Sequence, residues 1–299
     1  MTKLPTELET VRDWIRYAVS RFCAAKVIFG HGTDNAFDES IFLVLASLHL
    51  PLDQLEPFLD GRLTEAEKTI LHQAIERRVV DRVPVPYLTH QAWLGSFMFY
   101  VDERVVIPRS FIAEVLEERL SPWISQPEQV VSALDLGTGS GCLAILIADA
   151  FPDAEIDAVD ISADALAVAQ HNVAEYGLQD RINLVRSDLF RNINAEDKTY
   201  DLIISNPPYV TTASMSELPE EFRHEPEVAL AAGEDAMDAI RQIIFGARAY
   251  LNVGGILVIE AGHNRDLVEA AFPALSMTWL VTRSSEDKVF LVRREDLPV

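Results

Sequence analysis

The 299-residue chain carries 47 acidic against 25 basic residues, a formal net charge of -22, with 49% hydrophobic residues and two cysteines. This composition excludes a disordered chain and a disulfide framework, while the charge repels phosphate over most of the surface and favours a basic partner. The first residues include Glu7 and Glu9 and no apolar run of signal-peptide length, so neither secretion nor a membrane span is expected, and Cys23 and Cys142 suit a reducing cytoplasm. Both cysteines are expected as buried apolar thiols, because nothing beside them in sequence would activate them.

From Leu8 to Ala25, Val11, Trp14, Ile15, Ala18, Val19 and Phe22 recur at helical spacing, predicting an amphipathic helix with one buried stripe. Gly30-His31-Gly32-Thr33-Asp34-Asn35 breaks it, and His31 among these turn formers is expected to play a local loop role. Helical patterns return at Glu39 to Leu48 and at Thr64 to Val79, the latter opened by Thr64 and Glu67 at capping-box spacing. Residues 1–82 therefore read as a helical domain. Between 83 and 108 the texture changes to Pro84, Pro86, Gly95 and short apolar runs, which predicts a hairpin linker. Residues 109–299 then form the second domain. After a helical stretch at Phe111 to Leu120, short apolar strands alternate with amphipathic helices, the pattern of an α/β sheet covered on both faces. Strands are expected at Val130 to Leu136, Glu155 to Asp160, Ile182 to Ser187, Leu202 to Ser205, Gly255 to Glu260, Thr278 to Thr282 and Val289 to Val292. Helices are expected near Cys142 to Ala150, Ala163 to Tyr176, Asp235 to Leu251 and Asn264 to Phe272. Only a turn-rich segment separates the last two strands, so they should pair as an antiparallel hairpin at the sheet edge.

Three strand ends carry the chemistry. Asp135-Leu136-Gly137-Thr138-Gly139-Ser140-Gly141 places glycines where the backbone must turn and approach a ligand, but its G-x-G-x-G spacing lacks both the dinucleotide fingerprint and the phosphate-loop lysine. Asp160 closes the next strand, where a carboxylate accepts hydrogen bonds from ribose hydroxyls. Asp188, beside Leu189 and Phe190, offers an acceptor for an adenine amino group. A fourth strand ends in Ser205-Asn206-Pro207-Pro208-Tyr209. Neither proline has an N–H, so this loop offers acceptors and few donors, and Asn206 with the Pro207 carbonyl suits both hydrogens of one planar NH2 group.

Asp135 to Gly141, Asp160, Asp188 and Asn206 to Tyr209 resemble the motifs of class I S-adenosylmethionine-dependent methyltransferases. Tyr17 to Asn35, Tyr100 to Val105, Pro108-Arg109-Ser110 and Arg223-His224-Glu225-Pro226-Glu227 are similar to the HemK/PrmB family, within its branch that methylates a glutamine of the third large-subunit ribosomal protein. The resemblance spans nearly the whole chain. It implies a Rossmann-like fold, mostly parallel with seven strands, preceded by a helical domain that recognises substrate. It also implies N5-methylation of a glutamine in a basic ribosomal protein in a bacterial cytoplasm, without metal, membrane or direct nucleic-acid contact. S-adenosyl-L-methionine is the implied cofactor, held by Asp135, Gly137, Thr138, Gly139, Ser140, Gly141, Asp160, Asp188, Leu189 and Asn206. Asn206, Pro207, Pro208 and Tyr209 are the implied substrate loop, with Asn206, Pro207 and Tyr209 at the reaction. Phe111 departs from the family pattern where proline is expected, as does Glu260-Ala261-Gly262-His263, where a bulkier residue normally precedes the glycine.

The loop alone does not separate an amide from an exocyclic base amine, so release factors and nucleic acids stand as alternative substrates; the acidic charge disfavours the latter. A noncatalytic binding protein on the same fold is a further alternative. His224-Glu225 is a rival acid–base pair, but its polar, proline-bounded context favours a loop covering the substrate. Arg109 reads equally as a structural cation or a site residue.

Overall fold

The computed structural model describes residues 3–299. Helix α1 (Val11–Ala25) opens on a reciprocal cap in which the Thr10 hydroxyl accepts from the Asp13 amide and the Asp13 carboxylate accepts from the Thr10 amide. Asn35 caps α2 (Ala36–Ser47), and the Thr64–Glu67 capping box opens α3 (Glu65–Val80) as its spacing predicts. The stripe Val11, Trp14, Ile15, Ala18 and Phe22 is buried with Leu43, Val44, Leu71 and Ile75 in one core. Each large apolar side chain taken fully out of water contributes roughly 1.5–3 kcal/mol, so this packing, more than helix propensity, holds the bundle. Cys23 departs from expectation and is exposed. It stands one residue, about 100°, beyond Phe22 and so falls off the buried stripe.

Pro84 and Pro86 also act differently from the linker texture they suggest. Pro84 caps a short helix, α4 (Val85–Thr89), and Pro86 occupies its first turn, where no N–H is needed. Strands β1 (Ala92–Leu94) and β2 (Phe97–Phe99) then pair antiparallel, Ala92 opposite Phe99, ahead of α5 (Ile112–Glu117).

The rest of the chain runs β3 (Ser132–Leu136), α6 (Cys142–Ala150), β4 (Glu155–Asp160), α7 (Ala163–Glu175), β5 (Ile182–Arg186), β6 (Tyr200–Ser205), α8 (Thr212–Met215), α9 (Asp238–Tyr250), β7 (Leu251–Glu260), α10 (Arg265–Ala271), β8 (Thr278–Leu280) and β9 (Val289–Arg293). One seven-stranded sheet results, ordered β5-β4-β3-β6-β7-β9-β8. It is parallel through β7, and β9 is antiparallel to both its neighbours. The expected Rossmann-like architecture with its terminal hairpin is thus present, with the later strand, β9, lying inside β8. Several boundaries shift by two to four residues, two of them for a visible reason. β7 begins at Leu251 because the residue ending α9 is already extended and continues directly into the strand. α9 begins at Asp238 because Asp235 accepts from the Met237 amide and pairs with Arg241 outside the helix.

Both sheet faces are buried, and side chains alternate between them as the strand repeat requires. Ala133, Leu202, Ile204, Ile256, Val258 and Leu291 lie on the face covered by α5 and α6, while Leu134, Ile203, Leu257, Ile259 and Phe290 lie on the face covered by α9. The chain therefore leaves neighbouring strands β3 and β6 toward opposite faces, which opens a crevice at their carboxyl ends. Among the described residues, no helix is long and apolar enough to cross a membrane.

Candidate active site

Leu136 pairs with Ser205, and the Ser205 hydroxyl donates to the Leu136 carbonyl at 2.8 Å, so the glycine loop and the Asn206 loop leave the sheet side by side. Between them lies a cavity of about 360 Å³ lined by Gly137 to Ser140, Asp160, Asp188, Leu189 and Asn206 to Tyr209. That volume falls in the range of small-molecule and cofactor sites. Asp135, inside β3, and Gly141, at the head of α6, do not line the cavity and support the loop from behind.

The loop is held open by specific bonds. The Gly139 amide donates to Asp160 Oδ2 at 2.9 Å, and the Gly137 and Thr138 amides both donate to the Val159 carbonyl. Gly139 has φ 54°, and a Cβ there would meet nothing within 4 Å, so this glycine leaves the cavity floor bare. Gly141 serves packing instead, since its Cβ would lie 3.2 Å from Ala169 of α7. Thr138 donates to Asp135 Oδ2 at 2.6 Å, whereas Asp135 Oδ1 is buried without a partner. Burial pushes the Asp135 carboxyl up to about 7, against the pull of the Thr138 bond.

Asp160 accepts from Gly139 through one oxygen and from the Ser162 amide through the other. Burial raises its pKa, and these backbone bonds oppose the rise. Each oxygen keeps a further lone pair for a ligand hydroxyl. Asp188 sits at the rim, 3.3 Å from Arg191. Next to it Leu189 has φ 47°, a strained conformation for a bulky side chain, held by the Ser187 hydroxyl donating to its carbonyl at 2.6 Å. Such strain at a cavity wall is a signal of function that a sequence does not display.

On the facing loop, Asn206 Nδ2 lies 3.5 Å from the Arg109 carbonyl, and Asn206 Oδ1 is buried without a partner. Buried polar atoms are normally paired, so an acceptor left open on a cavity wall marks where a donor belongs. Pro207 adds a carbonyl and no N–H. The Tyr209 ring packs against Gly262, and its carbonyl accepts from Asn264 at 2.9 Å. Burial raises its phenol pKa. The chain beyond pairs briefly with a later segment, Val210 donating to Leu230 and Ala232 to Val210, which brings Leu230 to Gly233 over the cavity.

His224 and Glu225 do not form an acid–base pair. His224 Nε2 lies 2.8 Å from the Asp81 carbonyl, whereas Glu225 is buried against Arg109 at 2.5 and 2.6 Å. Burial alone would lower the Arg109 pKa, but Glu225 holds it above its ordinary value. His31, in a loop as expected, is buried there against Phe222, the rings tilted by 41° with centroids 4.3 Å apart. Burial, with Arg109 and Arg78 nearby, pushes it down to about 3, so it stays neutral. At the departing Phe111 position the free N–H donates to Glu260 at 2.9 Å, a bond that proline would lack, and Ser110 donates to the same oxygen at 2.6 Å. Burial pushes Glu260 up to about 7. Cys142, partly buried where the loop enters α6, has its thiol pushed up to about 12 by burial, which leaves it unreactive.

Residues 113–234 match the family model described as methyltransferase small domain. The chain is 57% identical over 291 residues to the ribosomal protein uL3 glutamine methyltransferase of Neisseria gonorrhoeae, covering 97% of this chain and 96% of that protein. It is 56% identical to the protein of that name from Bordetella pertussis over 97% of each chain. It is 55% identical to the Burkholderia pseudomallei protein of that name over 100% of this chain and 99% of the other. Among solved structures, the human Mettl16 catalytic domain in complex with an RNA hairpin shares the fold at a TM-score of 0.52 and 12% identity, covering 77% of this chain and 81% of that one.

Proposed function

The chain belongs to the family of ribosomal protein uL3 glutamine methyltransferases, and from that premise we propose that it transfers a methyl group from S-adenosyl-L-methionine to the side-chain amide nitrogen of a glutamine in uL3, a basic ribosomal protein encountered in the cytoplasm. The observation that carries this reading is the buried, unpartnered Asn206 Oδ1 beside the N–H-free Pro207 on the wall of the cavity.

The cavity suits the cofactor on its own chemistry: a bare glycine floor, Asp160 with lone pairs left for ribose hydroxyls, and Asp188 and Leu189 at the end suited to a base. When bound, S-adenosylmethionine supplies an electrophilic methyl carbon whose bond to sulfur breaks as the nitrogen–carbon bond forms. Asn206 Oδ1 and the Pro207 carbonyl accept the two amide hydrogens of the substrate glutamine. Holding both removes the rotational freedom of a weak nucleophile and favours the geometry that frees its lone pair. Tyr209 walls the amide. The nitrogen becomes acidic as it gains the methyl group, so its proton passes to water without a dedicated base. This agrees with His224 and Glu225 being committed elsewhere. The helical domain, residues 1–82, recognises the protein substrate, and the charge of -22 attracts a basic one.

The test supplies labelled S-adenosylmethionine with uL3, with release factor and with RNA or DNA. Label should enter a uL3 glutamine, and Asn206→Ala should abolish it while leaving cofactor affinity by calorimetry near wild type. Label in nucleic acid alone overturns the substrate assignment.

A further inference from the structure

The segment Glu221–Glu225 ties the two halves of the molecule together, and its side chains divide between them. Glu221 accepts from the Ile28 amide at 3.0 Å and lies 3.5 Å from Arg82 and 3.6 Å from Arg78. Phe222 covers His31 and reaches Gly30, where a Cβ would stand 3.3 Å from the ring edge. His224 holds the Asp81 carbonyl. Glu225 turns the other way, accepting from the Ile107 amide at 3.0 Å and from both terminal nitrogens of Arg109. The Arg109 guanidinium also lies 5.5 Å from the Phe222 ring centre, which joins the two sets of contacts. With His31 neutral, the buried charge of Glu225 is answered by Arg109.

The pair anchors the backbone whose carbonyl faces Asn206 Nδ2 at 3.5 Å. This contact is long for a hydrogen bond, yet it decides which end of the amide is which. Were the Asn206 amide reversed, its oxygen would face the Arg109 carbonyl oxygen, lone pair against lone pair. With the NH2 end toward Arg109, Oδ1 is the acceptor left open.

We propose that Arg109 and Glu225 are positioning residues for methyl transfer: their ion pair, braced on the helical domain through Glu221, Phe222 and His224, fixes the Arg109 carbonyl that keeps Asn206 Oδ1 presented to the substrate amide. The kinetic consequence rests on the methyl-transfer reading; the orientation of Asn206 does not. The pair therefore sets kcat and leaves affinity for cofactor and protein largely alone.

The test follows the Asn206 side-chain NH2 resonance in protein labelled with 15N-asparagine, identified by its absence from Asn206→Ala. The variant Arg109→Gln/Glu225→Gln removes both charges and so strands neither. Its Asn206 resonance should shift or broaden while those of Asn192 and Asn252 stay in place. Its kcat should fall roughly 10- to 100-fold, with KM for uL3 and cofactor Kd within about twofold of wild type. Arg109→Lys, which keeps the charge, should recover part of kcat. Should the double variant not fold, Glu225→Gln, which retains an acceptor for the Ile107 amide, carries the same two readings. An unmoved Asn206 resonance in a folded variant overturns the proposal. So does a parallel loss of cofactor binding, Tm and kcat, which is the mark of a scaffold alone. A wild-type protein that methylates no glutamine speaks against the reaction, and the resonance still decides the positioning.

Discussion

Replacing Arg78 with methionine tests the polar seam between the two halves most directly. The Arg78 side chain is fully buried, its Nε donating to Glu39 at 2.7 Å and one terminal nitrogen to the Ile28 carbonyl at 2.7 Å. Arg78→Met leaves Glu39, itself 1% exposed, with only the Thr33 hydroxyl at 3.0 Å. Glu221 fares better, because the Ile28 amide and Arg82 remain. Stranding one member of a buried pair costs about 3–5 kcal/mol, and most of it falls on Glu39. Burial already raises the Glu39 pKa despite Arg78, and losing Arg78 raises it further. A carboxyl whose folded pKa lies above its unfolded value loses stability as pH rises through that window, so the deficit should be largest at neutral pH and shrink on acidification. The assay is urea unfolding followed by circular dichroism at neutral and mildly acidic pH for wild type, Arg78→Met and Arg78→Met/Glu39→Met. The double variant should regain most of the loss. A deficit below about 1 kcal/mol at neutral pH, as for an exposed pair, or no recovery in the double variant, refutes the reasoning.

Glu260, raised from 4.5 to about 7, should make wild-type stability fall by on the order of 3 kcal/mol between those pH values, since the folded state keeps the proton that the unfolded state has lost. Unfolding free energies across that window should show a flatter slope for Glu260→Gln. Gly262→Ala places a Cβ 2.8 Å from the Tyr209 ring at φ 57°, so the ring must move; kcat should fall roughly 10- to 100-fold, measured with uL3 as substrate. Asp160→Ala removes the acceptor of Gly139 and Ser162 as well as that proposed for ribose, and calorimetry should show cofactor binding weakened at least about tenfold, the worth of a hydrogen bond to a charged group.

Local chemistry made the sheet legible in the sequence. Apolar runs ending in Leu136, Asp160 and Ser205 mark three strand ends because both faces of those strands are buried, and the glycines and prolines that follow the first and third have backbone requirements a short window displays. Thr64 with Glu67 announces a helix start in the same way. The cap on α1 was less visible because Asp13, not a longer acid, completes it. Pro84 and Pro86 misled because proline marks both a linker and the first turn of a helix. The seam was not legible at all: Glu221 meets Ile28 across 193 residues and Glu225 meets Arg109 across 116, so neither periodicity nor spacing connects them. His31 sits in a loop as its turn-forming neighbours indicate, but its contact in space, Phe222, lies far along the chain and leaves no local signal. Asn206 and Asp160, at the ends of β6 and β4, meet at one cavity, a convergence that the strand order and not the local sequence creates.

The strand order has a consequence for how the molecule comes apart. β8 meets the sheet only through β9, which it precedes in the chain, while β9 holds the inner place beside β7. β9 cannot leave the sheet with β8 still joined to the rest of it: once the five pairings of β9 with β7 open, Thr278–Leu280 loses its link to the other strands. The pair is one zipper with a single point of failure, centred on Phe290, which is fully buried among the side chains facing α9. Amides of the two strands should exchange with solvent as one cooperative unit, distinct from the parallel strands beneath the cavity.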